Sequence, residues 1–258
     1  TVMMSLGHRA GLFDTMAVMP AATSAEIAAS SGLNERYVRE WLAVMVTSGV
    51  IDYDPAEQSY LLPVEHAAFL TRAASPDNLA VTTQFIAITA SVEEELLKRF
   101  RSGDGLQYHH FDRFHEVMAE DSAQLVVAAL LEKILPVVPG LVERLQQGID
   151  VVDIGCGAGR AMYVMAEAFP ESRFTGIDLC GDAFATTKQE AEQNGISNLW
   201  FEAVDLSKAG LRRRYDLLTA FDAVHDQKAP QAIMTMVYDG WREDGAFLIQ
   251  DIAGSRHV

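Results

Sequence analysis

The residues of this chain best placed for chemistry lie between Val151 and Arg160, in the stretch VVDIGCGAGR. An apolar run ends in an acid, Asp153, and glycines follow at alternate positions, Gly155, Gly157 and Gly159. Without a Cβ, such a corner lets the backbone touch a ligand directly and turn sharply. A helix starting there presents free N–H groups to the same ligand. The spacing is D-x-G-x-G-x-G, whereas the dinucleotide fingerprint G-x-G-x-x-G would need a glycine at position 160, which is Arg160. A second stretch, HHFDRFH, holds His109, His110 and His115. Three histidines so close invite a metal, but no acid–histidine pair recurs at a ligand spacing, so no metal is expected.

Those groups need a scaffold, and the rhythm of the chain predicts one. VVDIG reads as a buried strand, 160–169 as a helix, RFTGIDL as the next strand and 182–194 as the next helix. LWFEAVDL, YDLLTAFDAV and GAFLIQDI read as further strands, the last two separated by a helix over about 230–241. This alternation predicts an α/β domain over 149–258, a Rossmann-like parallel sheet with helices on both faces. Ligands of such sheets sit at the carboxyl ends of the strands, where strand order reverses.

Residues 1–75 predict a winged helix-turn-helix. Thr23 or Ser24 caps a helix with Glu26 in its first turn, and Gly32 ends it; Asn34 caps the next, which Gly49 ends. VIDY and SYLL flank the turn DPAEQ as a hairpin. As a DNA reader the module is poor: Arg36 and Arg39 are cancelled by Glu35 and Glu40, and the wing carries Asp52, Asp54 and Glu57 without a base. Apolar Trp41, Leu42, Val44, Met45 and Val46 favour a structural role or a homodimer through this domain. Met3, Met4, Met16, Met19, Met45 and Met118 read as core or dimer packing. Residues 76–148 read as a helical linker and active-site lid, with helices over 79–101, 111–118, 122–135 and 141–147.

Composition narrows the partners. Twenty basic residues against 36 acidic ones leave a net charge of −16, which repels nucleic-acid backbones and anionic membranes. The one local exception is Arg212, Arg213 and Arg214. Apolar runs such as 125–131 are far too short to span a bilayer. Two cysteines, Cys156 and Cys180, make no disulfide framework, and no secretory leader opens the chain, so a cytoplasmic protein is expected.

At the glycine corner the chain resembles a known family. Asp153, Gly155, Gly157 and Gly159 are similar to the first motif of class I S-adenosylmethionine (SAM)-dependent methyltransferases. Three further matches follow: GIDL ends the second strand with Asp178, AVDL ends the third with Asp205, and AFDAVHD follows the fourth. The resemblance implies that Asp178 takes both ribose hydroxyls and that Asp205 takes the adenine amino group, with Leu179 and Leu206 flanking the ring. It places the methionine tail against Gly155, Cys156 and the chain around Phe221, and has Asp153 order the glycine turn and reach the ammonium through water. For each acid the alternative is a helix cap or a solvated strand end.

The segment AVHDQ resembles the His-Asp motif of winged-helix O-methyltransferases, best known from plants and antibiotic pathways, in which the histidine abstracts the proton of the acceptor hydroxyl. Carried over, His225 is the base, with Asp222 beside it on the acceptor side; Tyr108 and His115 are candidate lid residues. The alternative is a His225–Asp226 pair that caps a helix beginning near Lys228. Gln227 stands where that family commonly has tryptophan. The whole chain is most similar to winged-helix methyltransferases typified by mycobacterial members. This implies a small-molecule acceptor, SAM as cofactor and S-adenosylhomocysteine (SAH) as product. A SAM-binding regulator and a non-catalytic SAM-fold protein are the alternatives. Family members continue past the fifth strand with an antiparallel hairpin. This chain starts at Thr1 and stops at Val258, so a truncated piece is expected, with the acids that orient the histidine in plant relatives lying outside it.

Overall fold

The structure is a computed structural model that describes residues 1–253. Its contacts divide the chain into two compact units, Thr1–Gln124 and Leu125–Val258. The segment 76–148, expected as one linker and lid, is thus shared between them.

The first unit is helical with a small hairpin: α1 (Val2–Arg9), α2 (Leu12–Ala17), α3 (Ser24–Ser31), α4 (Glu35–Thr47), β1 (Asp52–Asp54), β2 (Ser59–Leu61), α5 (Val64–Leu70), α6 (Leu79–Thr82), α7 (Gln84–Ser91), α8 (Glu93–Ser102) and α9 (Phe114–Ser122). The caps fall where side-chain chemistry puts them. Thr23 and Glu26 form a reciprocal capping box on α3, and the Asn34 side chain accepts from Arg36 N on α4. The apolar side of α4 is spent internally. Trp41, Leu42 and Met45 are buried with Phe13 and Met16, and the Trp41 indole donates to Met3 O at 2.7 Å. Its arginines pair along the helix, Arg36 with Glu40 at 2.9 Å and Arg39 with Glu35 at 3.5 Å.

Three sequence expectations in the helical stretches are corrected. The single helix expected over 79–101 is three, with breaks at Thr83 and at Val92, which leaves helical geometry at ψ 9°. The helix expected over 111–118 is α9, starting at Phe114 behind Arg113 at φ +60° and preceded by a 3₁₀ turn at Tyr108–His110. The helix expected over 122–135 is wound as two π-helical segments, Ala123–Val127 and Leu130–Ile134. No single helix among the described residues is long and apolar enough to cross a membrane.

The second unit has α10 (Leu141–Gln147), β3 (Asp150–Ile154), α11 (Arg160–Ala168), β4 (Arg173–Asp178), α12 (Ala185–Gln193), β5 (Leu199–Ala203), α13 (Leu206–Ala209), β6 (Tyr215–Phe221), α14 (Pro230–Asp239) and β7 (Trp241–Gln250). The five strands are parallel, in the order β5-β4-β3-β6-β7. β3 is buried along its whole length, as a central parallel strand must be. One apolar cluster, with Met162 and Phe174, fills the α11 side of the sheet, and another, with Ile233 and Val237, fills the α14 side. Strand order reverses between β3 and β6, so the carboxyl ends of those strands are the expected ligand position.

Candidate active site

The corner after β3 is held by its neighbour. Gly155 N and Cys156 N both donate to Ile177 O, at 2.8 and 3.0 Å. Gly157 N then donates to Asp178 Oδ2 at 2.8 Å, and Cys180 N to Asp178 Oδ1 at 2.9 Å. The glycines are required here. Gly155 sits at φ +70°, and a Cβ on it would lie 2.7 Å from the Ala223 Cβ; Gly159, at φ +73°, would drive a Cβ to 2.3 Å from the Phe201 ring. The loops after β3 and β6 therefore touch across the switch point.

The acids at the strand ends have separate fates. Asp178 is the terminal residue of β4, and each of its oxygens keeps a lone pair beyond the N–H it already accepts. Asp205 lies two residues past the end of β5, as the N-cap of α13. It accepts from Ser207 N at 3.1 Å, from the Ser207 hydroxyl at 2.5 Å and from Lys208 at 2.9 Å, and these bonds hold its carboxyl below the usual range. That is the cap role the sequence leaves open. Leu179, one residue past β4, is exposed, whereas Leu206 packs against the α14-side core.

Asp153 departs from expectation. Its partner is the Thr219 hydroxyl on β6, at 2.7 Å, and the glycine turn is ordered by Ile177 and Asp178 instead. Only 2% of Asp153 is exposed, and burial pushes its carboxyl up to about 7 against the pull of Thr219. Burial likewise pushes the Cys156 thiol well above its ordinary value.

At the β6 end, Phe221 is half-buried, and Asp222 follows with a left-handed backbone, φ +49°, its N–H donating to Gln250 O at 2.9 Å. Burial raises the Asp222 carboxyl, with nearby His225 pulling the other way. His225 Nδ1 is 2.5 Å from Asp251 Oδ1, its backbone N donates to Asp251 Oδ2 at 3.3 Å, and its Nε2 lies 3.4 Å from Asp226 Oδ1. A ring anchored through Nδ1 leaves Nε2 to take a proton. Burial opposes ionisation of Asp251, but its hydrogen bonds from Ile252 N and His225 outweigh that and keep it below the usual range. The capping alternative fails, since α14 begins at Pro230 and has no side-chain cap. Gln227 folds back, donating to Ala223 O at 3.0 Å. Asp222, His225 and Asp251 hold their polar atoms within 4.8 Å of one another, a spacing a cation could also use.

Asp251 is the functional candidate missing from the sequence reading, which expects the orienting acid outside the chain. Its signal is there: GAFLIQDI ends in an acid, as the second strand does. The structure thus gathers the glycine corner, Asp178, Asp222, His225 and Asp251 along neighbouring strand ends of the second unit. Tyr108 and His115 lie in the first unit, in an aromatic cluster with Phe114, ring centroids 5.0 and 5.5 Å from Tyr108 to Phe114 and His115.

This strand order, with a glycine corner at its switch point, is the Rossmann-like arrangement, and the D-x-G-x-G-x-G spacing of that corner is the SAM-dependent methyltransferase form of it. Comparison with known proteins divides the chain in the same way: residues 1–72 match the Rv2258c-like winged HTH domain and residues 145–257 match a methyltransferase domain. The chain thus carries a winged helix-turn-helix domain followed by a methyltransferase domain. Malonyl-[acyl-carrier protein] O-methyltransferase of Acetivibrio thermocellus is 29% identical over 70 residues, 27% of this chain and 24% of that protein. The match spans about a quarter of that relative's length. Among solved structures, human N-acetylserotonin methyltransferase in complex with SAM has a TM-score of 0.65 at 16% identity, covering 96% of this chain and 74% of that one. Mitomycin 7-O-methyltransferase has a TM-score of 0.68 at 18% identity, covering 98% and 77%. At these identities they establish the shared fold.

Proposed function

We propose that the chain is a SAM-dependent methyltransferase that acts on a hydroxyl group of a small-molecule acceptor, with His225 as the base. The observation that carries this reading is the Asp251–His225 pair at the ends of β6 and β7, beside the loop that touches Gly155. The corner suits the cofactor chemically: a bare backbone that a Cβ would obstruct, a strand-end carboxylate with lone pairs to spare, and an enclosed acid with no cation beside it among the described residues. Bound there, SAM supplies a methyl group already activated by its sulfonium. Asp178 holds the ribose hydroxyls, Gly155 and Cys156 bring the backbone against the methionine tail, and Leu179 borders the base.

The chain's own chemistry is alignment and proton removal. His225 Nε2 takes the acceptor's hydroxyl proton, Asp251 fixes the ring through Nδ1, and Asp226 offsets the imidazolium charge. A positioned base contributes on the order of 10²–10⁴-fold in rate. The test is SAH production from SAM over a panel of phenols and aliphatic alcohols. His225→Ala should lose that factor while calorimetry finds SAM affinity nearly unchanged; equal rates in variant and parent would demote the histidine.

The same reading includes a cytoplasmic homodimer formed through the first unit. In α8 no residue is buried, and Leu96, Leu97 and Phe100 stand exposed on it. Light scattering should report twice the mass of one chain. The regulator alternative is disfavoured by the ion-paired arginines of α4.

A further inference from the structure

One group of charges in the second unit takes no part in the chemistry above. Asp150, the first residue of β3, is buried, and three guanidiniums close on its carboxyl. Arg173, the first residue of β4, reaches it through Nε and Nη2 at 2.7 and 3.0 Å, Arg242 through Nη2 at 3.0 Å and Arg213 through Nη1 at 3.3 Å. Asp216 takes a second bond from Arg242, and among the described residues no other acid pairs with the three. Two carboxylates against three guanidiniums leave a positive surplus, in a chain whose net charge is −16. For Asp150 alone, the two-pronged contact of Arg173 already suffices. Each guanidinium has five N–H donors and uses two here, so more than half remain for a further acceptor.

The face these residues share is open for a topological reason. Register sets Asp150 level with Arg173, and Thr175, two residues on, level with Trp200 of β5. Alternation along the strands therefore puts Arg173, Thr175 and Trp200 on the face of Val152, the α14 side of the sheet. The crossover from β5 to β6 runs on that side, packing Leu206 and Leu211 there, but its helix α13 has only four residues. It leaves the β4–β5 part of the face uncovered, and Trp200 stands 47% exposed. The result is a groove of about 370 Å³ whose lining includes Thr175, Trp200, Arg212, Arg213 and Tyr215. Its one acid, Glu202, lies 3.8 Å from Arg212 and balances it. Arg213 belongs to both features: its guanidinium lies 4.9 Å over the Tyr215 ring, and its Nη2 is 3.5 Å from the Thr175 hydroxyl. Trp200 is one strand spacing further on, ~4.8 Å.

Forked cationic donors beside an exposed indole suit a phosphate and the ring attached to it. We propose that this end of the sheet binds a phosphate monoester of an aromatic compound, with the phosphate on Arg173, Arg213 and Arg242 and the ring in the groove against Trp200. The phosphate charge offsets the surplus around Asp150. The site lies at the amino end of β3, ~16 Å along the strand from Gly155 at about 3.3 Å per residue. A ligand there is neither the cofactor nor the methyl acceptor. The run Arg212–Arg214, the one local exception to the acidic balance, thereby gains a purpose.

The experiment is calorimetry of the whole chain with phenyl phosphate, inorganic phosphate and phenol, in a phosphate-free buffer at fixed ionic strength, with tryptophan fluorescence read alongside. Phenyl phosphate should bind and quench the fluorescence, inorganic phosphate should bind more weakly, and phenol should give no heat. Arg173→Gln and Arg242→Gln should each weaken phenyl phosphate about tenfold or more, the loss of a charge-assisted hydrogen bond, with SAH binding unchanged. Trp200→Leu should weaken phenyl phosphate roughly threefold or more and remove the quench, leaving inorganic phosphate as before. Trp200 is exposed, so this variant decides the matter even where an arginine variant fails to fold. Absence of phenyl phosphate binding would overturn the inference. So would binding that SAH displaces, that Trp200→Leu leaves unchanged, or that folded arginine variants retain in full. Each of these outcomes leaves the SAM assignment standing.

Discussion

Asp153 and Asp178 lie near the carboxyl ends of adjacent strands, Asp153 level with Gly176, yet their surroundings give them opposite chemistry. Asp178 collects two backbone N–H groups, while Asp153 collects one hydroxyl and, among the described residues, no cation. Since folding raises Asp153 from 3.8 to about 7, the folded chain holds a proton that the unfolded chain has lost. Its contribution is therefore fully present below about pH 4 and is lost as pH rises through about 7. Asp153→Asn should stabilise the ligand-free protein at pH 8, by on the order of 4 kcal/mol at most, and denaturation at pH 5 and pH 8 measures it. Asp178→Ala should weaken SAM binding by roughly 1.5–3 kcal/mol in calorimetry. Asp251→Asn should slow transfer by roughly 10²-fold, the low end for a positioned base, with SAM affinity unchanged. At this scale the glycines, Asp178 and His225 are legible in the sequence because their spacing is local. Asp251 is not, because a partner 26 residues away is named only by strand pairing. Asp205 is legible as an acid past a strand end, and its helix cap appears only once the start of α13 is seen.

Among the elements, α11 and β5 are joined by one side chain. Asn198 Nδ2 reaches Ala166 O, Phe169 O and Ser172 O at 3.1, 3.2 and 3.0 Å, taking up carbonyls left over where α11 ends. Asn198→Ala should cost about 1–3 kcal/mol, read as a lower denaturant midpoint at constant m-value. Gly159→Ala should cost about 2 kcal/mol or more, from the left-handed backbone together with the Phe201 ring. Strands β3, β4 and β6 can be read because apolar runs bounded by glycine and acid have one interpretation. The breaks at Thr83 and Val92 cannot, because no glycine or proline marks either position.

For the whole molecule, the two compact units carry separate domains, and the fold class of both is visible in the sequence because each depends on periodicity and turn residues alone. The acidic balance is a property of the entire chain, −16 with neutral histidines, and disfavours polyanions as partners. A thermal-shift titration should register this ligand choice. SAH at about a hundredfold its Kd adds about 2.7 kcal/mol and raises the melting temperature, whereas NADH at the same concentration should leave it unmoved.

The tie between His225 and Asp251 also sets an order of events during synthesis. The ring emerges from the ribosome 26 residues ahead of its anchor. Until β7 has been made and zipped onto β6, the imidazole is free to swing. On the reading proposed above, a chain made only as far as β6 therefore has no aligned base.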